Sequence, residues 1–72
     1  MNTQLAAYFA AKRQHHEAAR LMARAERTLD RLIENGVDEN RAWLLAGVHL
    51  ADVRCIRAYQ KMTRALRLLK AL

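Results

Sequence analysis

The chain predicts an all-α fold: an antiparallel two-helix hairpin closed along an alanine-rich coiled-coil seam. Three observations point there. Alanine recurs at seven-residue spacing in each half, at Ala11, Ala18 and Ala25 and again at Ala51, Ala58 and Ala65. The two halves meet at Asn35-Gly36-Val37-Asp38, and no proline interrupts either one. Folding the chain about Gly36-Val37 then sets a larger side chain against an alanine in successive layers. These run from Tyr8 on Ala65 through Ala11 on Met62, His15 on Ala58, Ala18 on Cys55 and Met22 on Ala51 to Ala25 on Val48. Alternation of large and small is what close packing of two helices requires.

The first helix is predicted over residues 4–35. With the alanines at heptad position d, position a is filled by Tyr8, His15, Met22 and Leu29, and d continues to Leu32. Apolar side chains at this 3–4 spacing give a helix one buried seam. Gly36 ends it, because glycine accepts the left-handed conformation at the residue after a helix. The turn occupies 36–37, and Asp38 caps the next helix by accepting from its free amides. The second helix is predicted over 38–71, with Val48, Cys55, Met62 and Leu69 at a, and Leu44, Ala51, Ala58, Ala65 and Leu72 at d. A connection this short makes the helices antiparallel neighbours. Near the turn, Leu29 is expected to meet Leu44. Gly47 falls inside the second helix, where it costs about 1 kcal/mol relative to alanine, which suggests a close approach by another backbone.

With 72 residues, the chain is read as a single domain, 1–72, whose hairpin buries too little surface to stand comfortably alone. Trp43, Leu50, Ile56 and Leu68 point away from the seam and are the expected oligomer interface. A dimeric four-helix bundle, or a higher homo-oligomer, is the simplest closed solution. No signal peptide is expected: Leu5 to Ala11 is apolar but short and lacks a basic lead-in. No stretch approaches the length of a membrane span. The single Cys55 lies on the seam, where a thiol acts as a small hydrophobe. That excludes a disulfide framework and suits a reducing cytoplasm.

Formal net charge is +6, and it is unevenly spread. The first half mixes both signs. The end of the second half carries Arg54, Arg57, Lys61, Arg64, Arg67 and Lys70 with no acid after Asp52. Arg54, Arg57, Lys61 and Arg64 share one stripe of the helix, and with Arg67 they form the candidate anion-binding set. Against this, helix C-termini favour cations through the dipole, and arginine is a good solvated helix former. Trp43, with Arg41 nearby, could stack on a base, though an anchor in an oligomer interface explains the same tryptophan.

Other constellations carry little chemistry. His15 and His16 diverge by about 100° on a helix, and His49 lies far along the hairpin from them, so no metal site is expected. His15 reads as a seam histidine. Asp52 has no Lys or Arg three or four residues away and is expected to pair across an interface. No nucleophile with a base, glycine-rich phosphate loop or carboxylate pair is present, so neither an enzyme nor a cofactor is expected.

In architecture, the hairpin with a small-residue seam resembles the Rop type of plasmid RNA-binding bundle. Locally, Arg41-Ala42-Trp43-Leu44, Ala46, His49-Leu50 and Arg57-Ala58 resemble the helical segment of phage anti-CBASS cyclic-nucleotide sponges, over residues 41–58. The second resemblance implies an oligomeric hairpin that sequesters cyclic nucleotides, with Arg41, Arg57 and His49 as phosphate contacts. The expected function is therefore a non-enzymatic, oligomeric binder of nucleic acid or a nucleotide second messenger, in the style of a phage or plasmid accessory protein. The alternative is a protein-interaction module, an inhibitor, adaptor or anti-activator that docks its apolar face onto a host protein.

Overall fold

The computed structural model describes residues 2–71. Three helices follow in order: α1 (Thr3–Glu34), α2 (Glu39–Ala46) and α3 (Val48–Lys70). Leu72, assigned to the seam by its heptad position, lies outside the described residues.

Capping chemistry fixes both ends of α1. The Asn2 carboxamide oxygen accepts from the amides of Gln4 and Leu5 at 3.0 and 3.2 Å, satisfying two of the donors that a helix start leaves free. At the other end Gly36 adopts φ +86°. Its amide donates to the Ile33 carbonyl, and the Val37 amide donates to the Leu32 carbonyl, each at 3.0 Å. This pair of bonds is the Schellman closure, which requires a left-handed residue at that point. Asp38 then caps α2: its carboxylate accepts from the Arg41 amide at 3.3 Å.

α1 and α3 run antiparallel. Gln14 bonds Lys61, His15 lies against Tyr59, and Ala25 packs with Val48 and Ala51, so numbers rise on one helix as they fall on the other. The molecule is correspondingly a rod, 53 × 15 × 12 Å. The seam alanines Ala11, Ala18, Ala25 and Ala51 are all buried. Met22 and Leu29 pack against the cluster of Ala25, Val48 and Ala51, as the register about Gly36-Val37 requires for Met22 on Ala51 and Ala25 on Val48.

The single second helix over 38–71 is corrected. Gly47, at φ +69° and ψ 28°, is left-handed and divides that arm into α2 and α3. The reason anticipated for this glycine is also corrected. A Cβ built on Gly47 would meet nothing within 4 Å, so conformation, not a neighbouring backbone, selects glycine here. The break shifts the phase of the buried stripe. A continuous heptad would turn Leu44 inward onto Leu29, but Leu44 is 72% exposed, and Ala42, at 0%, is the most buried residue of the core. Ala42 and half-buried Ala46, four residues apart, form the inward edge of α2.

This geometry sets a test. Gly47→Ala forces an L-residue into the left-handed region and is expected to cost about 1–2 kcal/mol, lowering Tm by about 4–16 °C. Gly47→Asn, which tolerates that region, should cost less. Thermal melts of the two variants check this, and a raised Tm for Gly47→Ala would mean a continuous helix in solution.

Candidate anion-binding site

α3 carries the basic residues on a regular helix, so their spacing is that of the helix itself. Arg54, Arg57, Lys61, Arg64 and Arg67 are all exposed. From Arg54 to Arg67 they extend about 20 Å along the axis. Arg67 and Lys70 lie in the last turn of α3, where the negative end of the helix dipole stabilises cations whatever they bind. Arg54, Arg57, Lys61 and Arg64 lie upstream of that turn and have no such explanation. The Lys61 ammonium is positioned by the Gln14 carboxamide oxygen of α1, to which it donates at 3.1 Å.

The fold adds a cation that sequence spacing along one helix could not supply. Arg24 of α1 and Arg54 of α3 line the same concavity, together with Leu21, Thr28, Gly47 and Leu50. Only the register between the helices brings Arg24 to the head of the stripe. The concavity holds about 190 Å³, below the roughly 300–1,000 Å³ of enclosed small-ligand sites. A larger hollow of about 620 Å³ lies beside Phe9, Arg13, His16 and Arg20. Its walls come from α1 alone, and no second element closes it.

Two of the additional contacts expected from sequence, Trp43 and His49, lie off the stripe. Trp43 pairs with His49, ring centroids 5.6 Å apart and tilted by 39°. Helix rotation puts both on the flank that also carries Ile56 and Tyr59, whereas the stripe lies on the flank of Gln14 and Leu50. Arg41 is exposed on α2. The four residues named as one oligomer interface divide likewise. Trp43 and Ile56 occupy the first flank, Leu50 and Leu68 the second, with exposures of 40%, 49%, 56% and 59%.

His15 is half-buried on the seam, its ring 5.6 Å from that of Tyr59 and inclined by 57°. Asp52 is exposed. Among the described residues, no three His, Cys, Asp or Glu side chains gather at a spacing that would hold a metal ion. No described helix is long and apolar enough to cross a membrane. Comparison of the chain with protein-family models, with curated proteins and with solved structures finds no match.

Proposed function

We propose that this chain is a small non-enzymatic helical protein that self-associates through its exposed apolar side chains and binds nucleic acid along α3. The observation that carries the reading is the linear, acid-free run of Arg54, Arg57, Lys61 and Arg64 on one exposed stripe, with Arg24 added at its head. Binding would be charge neutralisation and positioning, with no covalent step. A stripe about 15 Å long on a convex helix suits a repeating phosphate backbone. A cyclic nucleotide would need an enclosed pocket, and within one chain the concavity beside Arg24 and Arg54 is too small to provide it.

Titration of labelled RNA, DNA and cyclic dinucleotide at two salt concentrations tests this. Neutralising four phosphates gives a slope of log K against log salt of about −3 to −4 per chain. A shallow slope with tight cyclic-dinucleotide binding would favour the second-messenger reading, with a pocket built between subunits.

Exposed apolar bulk supports a second reading. Leu44, Leu45, Leu50 and Leu68 are each more than half exposed, a surface suited to docking on another protein. In that case the apolar side chains carry the binding energy, and charge mainly sets the association rate. Absence of binding to any nucleic acid at low salt, with capture of a protein partner, would select this module.

A further inference from the structure

The flank of the hairpin opposite the basic stripe has an order of its own. One step round α1 from the seam, at seven-residue spacing, stand Leu5, Lys12, Ala19, Glu26 and Ile33. All five are exposed, Leu5 at 40% and Ile33 at 42%. Read outward from Ala19, the strip is the same in both directions except that the charge is inverted. Lys12 and Glu26 lie equally far from Ala19, about 10 Å along the axis, and Leu5 and Ile33 about 21 Å.

We propose that this flank is a homodimer interface in which two copies of α1 pair antiparallel across a two-fold axis at Ala19. An isologous contact requires that when one residue meets a second, the second meets the first. The strip satisfies this: Lys12 faces the partner's Glu26 at one end, and Glu26 faces the partner's Lys12 at the other. Leu5 meets the partner's Ile33 outside those pairs, and the small Ala19 at the axis lets the backbones approach. A parallel pairing would set lysine on lysine and glutamate on glutamate, so charge selects the antiparallel arrangement. Tyr59 and Ile56 of α3 lie on the same flank and widen the contact.

The exposed area agrees with such an interface. The chain exposes 5755 Å², about 1,150 Å² more than the roughly 4,600 Å² of a compact monomer of its mass. A standard interface buries about 800 Å² per partner. The proposed contact leaves the stripe of Arg54, Arg57, Lys61 and Arg64 open on both copies. It rests on the self-association in the reading above and gives it a face and an orientation.

The test is a charge-swap cycle followed by sedimentation. Lys12→Glu alone and Glu26→Lys alone each place two like-charge pairs across the axis. Each should raise the dimer Kd about tenfold. The double variant restores both pairs inverted and should return the Kd to within about threefold of the parent. In a Cys55→Ser background, Ala19→Cys should give a covalent dimer on oxidation, whereas Arg57→Cys, on the opposite flank, should not. A dimer indifferent to both single swaps, or one that Ala19→Cys fails to link, overturns this geometry but leaves self-association standing. A monomer at tens of micromolar overturns the geometry and self-association together, while nucleic-acid binding is judged by its own titration.

Discussion

Arg57→Glu combined with Arg64→Glu is expected to weaken nucleic-acid binding at least about a hundredfold without altering helix content. Each reversal removes a cation from the exposed stripe of α3 and puts an anion in its place. A hydrogen bond to a charged partner contributes about 1.5–3 kcal/mol, so losing two such contacts alone weakens binding at least about a hundredfold. Repulsion from the two new carboxylates adds to that loss. The salt slope should fall by about two units for duplex DNA, because two fewer counterions are released. Both side chains are exposed, so circular dichroism should remain that of the parent. Filter binding at low salt is the decisive measurement. Undiminished affinity in the double variant would remove the stripe from the mechanism and leave the protein-docking reading.

Ala18→Leu is expected to cost about 1–3 kcal/mol through overpacking of the seam. Ala18 is 8% exposed, so the added carbons of leucine must enter the packed seam. Leucine and alanine differ little in helix propensity, so the loss reports packing between helices. Ala6→Leu, on an exposed position of the same helix, supplies the control and should change stability by less than about 0.5 kcal/mol. Urea unfolding at one fixed protein concentration compares them. Equal midpoints for Ala18→Leu and Ala6→Leu would show that the alanine edge does not pack against α3.

The alanine edge and the turn were legible in the sequence because each rests on a local rule, and the register followed from the turn only where Met22 and Ala25 meet Val48 and Ala51. Heptad spacing needs only one helix, and the glycine closure and the Asp38 cap need only neighbouring residues. Gly47 was not legible in the same way. A glycine inside an apolar helical pattern is compatible both with a continuous helix and with a left-handed break. Leu44 with Val48 and Ala42 with Ala46 are each apolar pairs at helical spacing, so periodicity alone did not decide which pair turns inward. The stripe on α3 was legible for the same reason as the seam, being periodic on one helix. Arg24 was not, because its place beside Arg54 depends on the pairing of two helices. The division of Trp43, Leu50, Ile56 and Leu68 between two flanks likewise emerges only once the hairpin is closed.

The left-handed residue at Gly47 has a kinetic consequence. The first amides of α3 have no acceptor within their own helix, and no side chain caps them. Val48, His49 and Leu50 therefore open a fast-exchanging window for deuterium in the middle of an otherwise protected arm. Protection spreads through contiguous cooperative units, and such a window is a boundary between two of them. α2, fastened by its Asp38 cap and by Ala42, is expected to open and reclose while α3 stays paired with α1. Deuterium exchange should then show α2 exchanging ahead of the helix that carries the charge.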